Sequence, residues 1–279
     1  MVFIRGAAVV VAIAFLSAGC SVVVRTDAQQ CSEDADCAAR GPDFADDVCV
    51  ANLCQPRPDP TWACVGHVPN PSADKTFTAQ YRLIDVVSQK PVTDATVKLC
   101  NKLDPPCSAP LQTIPVSGAG TVSVTVAENF SGYLDITTAS YLPTLYFIDT
   151  AVTDEVTTVT LLSPAVQASL NSSIGVEADP AAGGVNISMH DCTGARAAGV
   201  HFDIAPKNEE VGYYAIASAV SRTATKTDNS GNGGYINVTA GSATLTATLA
   251  KDGTRLAELT TLSRAGAITF QSLRPNPLP

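Results

Sequence analysis

Residues 121–126 read Thr-Val-Ser-Val-Thr-Val, a strict alternation of valines with small hydroxylated residues. The same period of two recurs at 243–249, where Ala and Leu alternate with Thr. Successive side chains of a β-strand point to opposite faces, so this period predicts strands with one buried face. Turn signals separate such stretches: Ser117-Gly-Ala-Gly120, Asn232-Gly-Gly234 and Lys251-Asp-Gly253. We therefore expect a mainly β chain built from β-sandwiches.

Two parts of the chain carry similar residues in the same order. The first reads Asp85-x5-Pro91-x3-Ala95-x-Val97, then Ser117-Gly-Ala-Gly120, then Gly132-Tyr133. The second reads Asp191 to Val200, then Thr227-Asp-Asn-Ser-Gly231, then Gly234-Tyr235. This order resembles the carboxypeptidase regulatory-like family, whose fold is a prealbumin-like (transthyretin-like) β-sandwich of seven strands. The resemblance implies two such sandwiches in tandem and says little about activity.

A short helix is predicted between the two halves, from Pro164 to about Ser172. Ser163 would be its N-cap and Pro164 its first residue. We therefore place a domain junction there. The predicted organisation is a signal peptide at 1–19, a cysteine-rich segment and Pro-rich linker at 20–60, a first β-sandwich at 61–162, and the short helix with a second β-sandwich at 163–279.

The N-terminus has the parts of an export signal. Arg5 is followed by an apolar run from Ala7 to Leu16 and by Leu16-Ser-Ala-Gly-Cys20. These residues resemble the lipobox of bacterial lipoproteins, which implies that Cys20 is lipidated and becomes the first mature residue. Cys20 is followed by Ser21 and not by Asp. In that family, the absence of Asp at this place favours passage to the outer membrane. The alternative is an uncleaved spanning helix, since residues 6–24 carry no charge and are just long enough to cross a bilayer.

Cysteines make up nine of the residues, and eight remain if Cys20 carries lipid. An even number in an exported chain predicts disulfides. Four of them lie in residues 26–60, which show no useful helical or strand period and cannot bury a core. The four are Cys31, Cys37, Cys49 and Cys54.

The stretches Cys31-Ser-Glu-Asp-Ala-Asp-Cys37 and Cys49-Val-Ala-Asn-Leu-Cys54 resemble short repeats called Dickkopf-like or EB-like, which carry no catalytic residues. Of the three pairings open to these cysteines, Cys31–Cys49 with Cys37–Cys54 is favoured. Cys100 and Cys107 are expected to bridge a loop at the end of a strand. That leaves Cys64 to pair with Cys192, the alternative being Cys64 with Cys100 or Cys107.

Charge and composition exclude several classes of function. The formal net charge is −9, from 17 basic and 26 acidic residues, so a duplex-DNA binder is excluded and no nucleic-acid partner is expected. The hydrophobic fraction of 46% excludes a disordered chain. The chain has no CxxC pair and belongs in an oxidising compartment, so no metal site and no cofactor are predicted.

A catalytic site is not expected, although one arrangement deserves testing. His190, Asp191 and His201 lie on two neighbouring predicted strands and could be combined with Ser188 as a hydrolase triad. No Gly-x-Ser-x-Gly sequence accompanies them, so we interpret them as strand histidines beside a disulfide.

A calcium loop beginning at Asp228 is disfavoured in the same way. Its twelfth position is Thr239 and not Glu, and a β-turn explains the residues better.

Trp62, Tyr213 and Tyr214 are the candidates for contacting a ligand. Trp62 could stack on a sugar, but a Trp beside a cysteine more often packs on a disulfide or a sandwich edge. Of the adjacent tyrosines, one ring is expected in the core and the other at the surface.

The function that fits these features is a non-catalytic binding or structural spacer module, lipid-anchored in the outer membrane. Its expected partners are the membrane, through the anchor, and an unidentified envelope protein or glycan. The alternatives are an accessory subunit of a secretion or polysaccharide complex and an unrecognised hydrolase.

Overall fold

The computed structural model describes residues 29–57, 60–68, 72–149, 156–217 and 219–276. The signal peptide and Cys20 lie outside these ranges. The chain divides into two compact units, Met1–Pro58 and Asp59–Pro279.

The first unit contains four short elements within its described residues. They are α1 (Asp34–Ala38), a 3-10 turn at Pro42–Phe44, and an antiparallel hairpin of β1 (Asp47–Val50) and β2 (Leu53–Pro56). The disulfides Cys31–Cys49 and Cys37–Cys54 link the helical side of this unit to the hairpin. Cys31 and Cys37 are its buried residues, so the cross-links take the place of a hydrophobic core. Such short elements leave no period in the sequence from which they could be predicted.

The second unit begins with a 3-10 turn at Pro60–Trp62 and continues as β-strands. We call β3–β9 the first repeat. Its strands are β3 (Thr76–Asp85), β4 (Thr96–Asn101), β5 (Gln112–Ile114), β6 (Thr121–Ala127), β7 (Gly132–Thr137), β8 (Thr144–Phe147) and β9 (Val156–Leu161).

A helix, α2 (Pro164–Ser173), follows the first repeat. The Ser163 hydroxyl accepts a hydrogen bond from the Val166 amide at 3.4 Å, and Pro164 is the first helical residue. The predicted helix and its N-cap are therefore confirmed. Gln167 and Asn171 of this helix line two cavities together with Gly184 and Ile236.

We call β10–β17 the second repeat. Its strands are β10 (Ala182–Met189), β11 (Val200–Ala205), β12 (Val211–Ile216), β13 (Ala219–Ser221), β14 (Asn232–Thr239), β15 (Gly241–Leu249), β16 (Arg255–Ser263) and β17 (Ile268–Leu273). Asn232-Gly-Gly234 lies inside β14, so the prediction of a turn at these residues is wrong. The turn comes just before, where Gly231 has a positive φ.

The strands of the second unit form three sheets. One has nine strands in the order β13-β12-β14-β10-β17-β8-β7-β4-β5, and two have three strands each, β6-β3-β9 and β11-β15-β16. Each three-stranded sheet packs on one half of the nine-stranded sheet. The prediction of a mainly β chain with two β-sandwiches is thereby confirmed, and the parallel pairing of β8 with β17 makes the large sheet continuous across both.

Each sandwich has its own hydrophobic core. Val97, Val124 and Leu134 are central to the first core, and Val185, Phe202 and Leu245 to the second. A third cluster lies where the repeats meet and joins Tyr133, Leu145 and Phe147 of the first repeat to Leu262 and Ala267 of the second. Strands β7 and β8 are consequently buried on both faces, because the end of β16 and the turn into β17 cover them.

The two repeats share one pattern of strand pairing. In each, the first strand pairs antiparallel with the strand that follows the Gly120 or Gly231 turn and parallel with the last strand. The second strand, β4 or β11, pairs antiparallel with β7 or β15, respectively. That strand in turn pairs antiparallel with β8 or β16. The exception is the third strand. β5 pairs with β4, whereas β12 pairs with β14 in the opposite sheet.

The repeated sequence pattern reflects this common turn. Gly120 has a φ of +72°, and Gly231 has a φ of +65°. The Leu83 amide donates to Gly120 O, and the Met189 amide donates to Gly231 O, both at 2.8 Å. A Cβ on either glycine would press against the backbone of the first strand, so both the conformation and the space require glycine.

Candidate functional site

A cleft of about 350 Å³ opens at the side of the second sandwich, between β11 and β12. These strands belong to different sheets, and among the described strands β11 ends its sheet, with β15 as its neighbour. Tyr213 and Tyr214, predicted from the sequence as ligand contacts, both line the cleft. The other polar side chains that line it are His201, Asp203, Lys207, Glu210, Arg222, Thr225 and Tyr235.

Two adjacent glycines on β14 make room for the tyrosine rings. A Cβ on Gly233 would lie 3.0 Å from Tyr214 Cδ1, on the inner face. A Cβ on Gly234 would lie 2.8 Å from the Tyr213 hydroxyl, on the outer face. Tyr214 is accordingly buried and part of the second core, while Tyr213 is half-buried and bonds to Asn186.

Tyrosine hydroxyls satisfy the backbone at the exposed edge of β11. The Phe202 amide donates to the Tyr214 hydroxyl at 2.9 Å, and the Tyr235 hydroxyl donates to Phe202 O at 2.7 Å. The Phe202 and Tyr214 rings stack with centroids 5.6 Å apart. β12 lies in the other sheet and does not pair with β11. The Tyr214 hydroxyl, from β12, therefore accepts the hydrogen bond that the backbone of a paired strand would accept.

A third side chain, that of Thr227, satisfies the same edge two residues earlier, at Val200. The Thr227 hydroxyl accepts from the Val200 amide at 3.0 Å and donates to Ala197 O at 2.7 Å. From the sequence, Thr227 was expected only as part of a turn, and Tyr235 only as part of the repeated Gly-Tyr pattern. The signal for Tyr235 is the pair of glycines before it, which leaves space above and below the strand.

Burial sets the protonation of these tyrosines. It raises the pKa of Tyr214, and it raises those of Tyr213 and Tyr235 well above the usual value. All three hydroxyls stay protonated at neutral pH and keep their ability to donate. The cleft therefore offers neutral hydroxyls and ring edges, with charged groups at its rim, where Lys207 and Asp203 form an exposed ion pair at 2.9 Å.

The rings of His190 and His201 each lie against a backbone carbonyl. β10 and β11 lie in different sheets, so the prediction that His190 and His201 sit on neighbouring strands is wrong. His190 Nδ1 lies 2.9 Å from Gly194 O, and His201 Nδ1 lies 3.0 Å from Thr225 O. Burial lowers the pKa of His190 and keeps it neutral at pH 7.

The other two members of the considered triad have structural partners. Asp191 accepts hydrogen bonds from the Thr193 amide and hydroxyl and from the Ala195 amide, which shapes the turn after β10. The Ser188 hydroxyl bonds to Asn232 at 2.9 Å.

Trp62 lies apart from the cleft. With Val65, it packs against the core of the second sandwich. The neighbouring Cys64 forms a disulfide with Cys192, and the Cys192 amide donates to Thr61 O at 3.0 Å. His190, two residues earlier, donates its amide to Leu273 O at 2.9 Å. The beginning of the second unit and its last strand therefore meet at residues 190–192.

The remaining candidate sites are turns and cross-links. Asp228 accepts from the Ser230 and Ala217 amides, so its carboxylate stabilises the turn before β14. The Ser230 hydroxyl, followed by these two amides, lowers the pKa of Asp228. Cys100 and Cys107 form a disulfide after β4. Among the described residues, both clusters with enough potential metal ligands consist of cysteines already in disulfides, one of them together with Asp135.

Comparison with known proteins gives weak structural likeness only. No protein-family model matches the chain, and no curated protein does. Among solved structures, the Bacillus anthracis TIE protein aligns at 11% identity over 72% of this chain with a TM-score of 0.26, and the chain spans 34% of it. The shaft pilin SpaA from Lactobacillus rhamnosus GG aligns at 11% identity, over 74% of this chain and 100% of the pilin, with a TM-score of 0.23. The major pilin subunit BcpA of Bacillus cereus aligns at 9% identity, over 73% of this chain and 100% of the pilin, with a TM-score of 0.24. Likeness this slight carries no argument for the fold or the function.

None of the described helices is long and apolar enough to cross a membrane.

Proposed function

We propose that the protein is a bacterial lipoprotein, anchored through Cys20 in the outer membrane, and acts as a non-catalytic binding or structural module of the cell envelope. The observation that carries this proposal is the joint between the two repeats. It combines a continuous sheet, a shared core and two ion pairs, Arg264–Asp135 at 2.9 Å and Arg274–Asp149 at 2.7 Å. A body joined in this way holds its exposed loops and strand edges at fixed positions, which suits display to a partner.

The disulfides support an exported location. Cys31–Cys49, Cys37–Cys54, Cys64–Cys192 and Cys100–Cys107 are cross-links that persist in oxidising compartments.

The Cys64–Cys192 disulfide also supports a tethered role. It ties the chain that precedes the first repeat to the turn after β10. A pull on the chain from its N-terminal side would reach the second repeat through this covalent bond without unfolding the first.

The cleft between β11 and β12 is the proposed contact for a polar ligand, such as a glycan or an extended peptide. Its hydroxyls, imidazole and rim charges suit hydrogen bonding. Among the aromatic rings that line it, that of His201 is exposed and that of Tyr213 is half-buried. A His201→Ala variant should then lower affinity for the ligand, while losing only the hydrogen bond of an exposed side chain from the fold.

The first test is the intact mass of the protein from bacterial membranes, measured with and without reduction. We expect a mature chain that begins at Cys20, carries acyl groups, and gains eight hydrogens on reduction of its four disulfides. A Cys20→Ser variant should remain uncut and unacylated, while Ser17→Ala serves as the matched control. An uncut Met1 terminus in the wild-type chain would overturn the lipid anchor and favour a spanning helix at residues 6–24.

Sorting and partners give the second test. Ser21→Asp should move the protein from the outer to the inner membrane if the lipoprotein pathway carries it. Stoichiometric co-purification with a secretion or polysaccharide complex would favour the accessory-subunit alternative. A hydrolytic activity abolished by His190→Ala or His201→Ala would contradict a non-catalytic role.

A further inference from the structure

Within the described residues, the difference between the repeats leaves the outer edge of β6 without a neighbouring strand. β6 and β14 occupy the same position, each antiparallel to the first strand of its repeat. The outer edge of β14 pairs with β12, whereas β6 ends its sheet. Strand β5, the counterpart of β12, lies in the opposite sheet.

The edge of β6 has the chemistry of a pairing site. Its seven residues carry no charge and no proline. Val122, Val124 and Val126 face the first core, while Ser123 and Thr125 are exposed. Within the described residues, the backbone from Val122 to Val126 bonds only to β3. A strand of this length with unpaired amides and carbonyls is a template for another chain.

Most other edges of the described sheets are short or closed. β5 and β13 have three residues each. Side chains of Tyr214, Tyr235 and Thr227 close β11. On β16, Asn276 bonds to Leu256 and Glu258 in the manner of an added strand residue. β9 directly follows residues 150–155 in the chain, which lie outside the described ranges.

The sequence of β6 is complementary to itself. In an antiparallel pair centred on Val124, Ser123 of one copy lies opposite Thr125 of the other, and Val122 lies opposite Val126. Polar residues then meet polar residues on one face, and valines meet valines on the other, so both chains keep their buried faces on the same side. No like charges on the strand oppose each other.

We propose that a second copy of this chain docks on the outer edge of β6, so that two β6 strands pair antiparallel about a two-fold axis. The chain already uses both parts of this arrangement. An antiparallel strand occupies the equivalent edge of β14, and edge-to-edge pairing of β8 with β17 joins the two repeats. The association would fuse two three-stranded sheets into one of six strands, and it does not depend on the lipid anchor.

The test is sedimentation equilibrium of the full chain in density-matched detergent over a range of concentrations. We expect a monomer–dimer equilibrium. The variant Ser123→Lys/Thr125→Lys places like charges opposite each other twice and should weaken association by about tenfold or more. The variant Ser123→Lys/Thr125→Glu places opposite charges there and should restore it. Gln80→Lys, on the neighbouring central strand β3, adds a charge to the same sheet and should leave the equilibrium unchanged.

Cross-linking fixes the register. A Ser123→Cys copy mixed with a Thr125→Cys copy should form a disulfide-linked dimer under mild oxidation, while Ser123→Cys alone should not. Circular dichroism and urea unfolding check that every variant remains folded. A monomer at all concentrations, including one that binds an added extended peptide, would overturn the proposal. So would a dimer that is insensitive to the paired lysines.

Discussion

The first and second repeats follow one pattern of strand pairing and differ at their third strand. In the first repeat, β5 folds back on β4 and the edge of β6 stays open. In the second, β12 crosses to the opposite sheet, covers the edge of β14, and leaves β11 to be closed by tyrosine hydroxyls. The third strand of a repeat can therefore join either of its two sheets, provided that side chains satisfy the backbone groups of the strand that it does not pair with.

The local reason lies in the connections. Cys100 and Cys107 close the loop after β4, and the Leu111 amide donates to Leu99 O at 2.8 Å, which returns β5 along β4. The connection from β11 to β12 has no such cross-link. In place of a returning strand, it delivers Tyr214 to the Phe202 amide.

The largest expected change in the free energy of unfolding comes from removing a disulfide of the second unit, and it should differ between the two disulfides there. Cys64–Cys192 spans 128 residues, whereas Cys100–Cys107 spans 7. On the chain-entropy account, removing the first by paired Ser substitutions should lower the free energy of unfolding by about 5 kcal/mol, and removing the second by about 2 kcal/mol. Urea unfolding of both double variants measures this, and equal costs would show that the loop joining β4 to β5 matters beyond its length.

The equivalent turn glycines should give the next effect. A Cβ on Gly231 would lie 2.5 Å from Met189 O, while one on Gly120 would lie 2.8 Å from Leu83 O. We expect Gly231→Ala to cost about 3 kcal/mol and Gly120→Ala slightly less. Gly253→Ala is the control, because its φ is +76° but nothing lies within 4 Å, so only the backbone cost of about 1 kcal/mol applies. Thermal unfolding measures the stability of the three variants. If Gly253→Ala lost as much stability as the other two, the close contacts at Gly120 and Gly231 would not be the cause of their cost.

Removing a hydroxyl tests how the second repeat manages without a strand beside β11. Tyr214→Phe keeps the ring but leaves the Phe202 amide without its acceptor, which should cost about 1–3 kcal/mol. Tyr235→Phe frees the Phe202 carbonyl and should cost less, since a carbonyl is more easily left unpaired. Hydrogen exchange of the Phe202 amide should accelerate in Tyr214→Phe only. Unchanged exchange there would contradict the edge-closing role.

The smallest effect is a pH dependence confined to the second repeat. His190 occupies the position of Ile84 in the first repeat, at an equivalent isolated bridge near the end of the first strand. Burial, with Arg196 and Arg274 nearby, lowers the pKa of His190 below its unfolded value of 6.5. The unfolded chain therefore binds the proton first, so the stability present above pH 6.5 declines as the pH falls toward the folded pKa and then levels off. His190→Ile should remove this part of the slope between pH 7 and 5 in urea unfolding, and an unchanged slope would exclude His190 as its source.

Much of the fold follows from local sequence. The period of two predicted the strands, Ser163 and Pro164 marked the start of α2, and the repeated turn residues predicted two related halves. The candidate cleft could be predicted only in part. Tyr213 and Tyr214 stood out as a pair, but Tyr235 and Thr227 act through backbone groups of β11, which is far away in sequence.

Local sequence is enough to establish the β class, the repeated turn residues, the acidic charge and the nine cysteines, because periodicity, composition and turn residues act over a few neighbouring positions. Long-range pairing places Asn232-Gly-Gly234 inside a strand, puts β10, which His190 follows, in a different sheet from the β11 strand of His201, and makes one sheet of two sandwiches through β8 and β17. These features depend on which edges meet and how their backbone groups are satisfied. Strand pairing joins residues far apart in the chain, and a strand's own pattern does not name its neighbour.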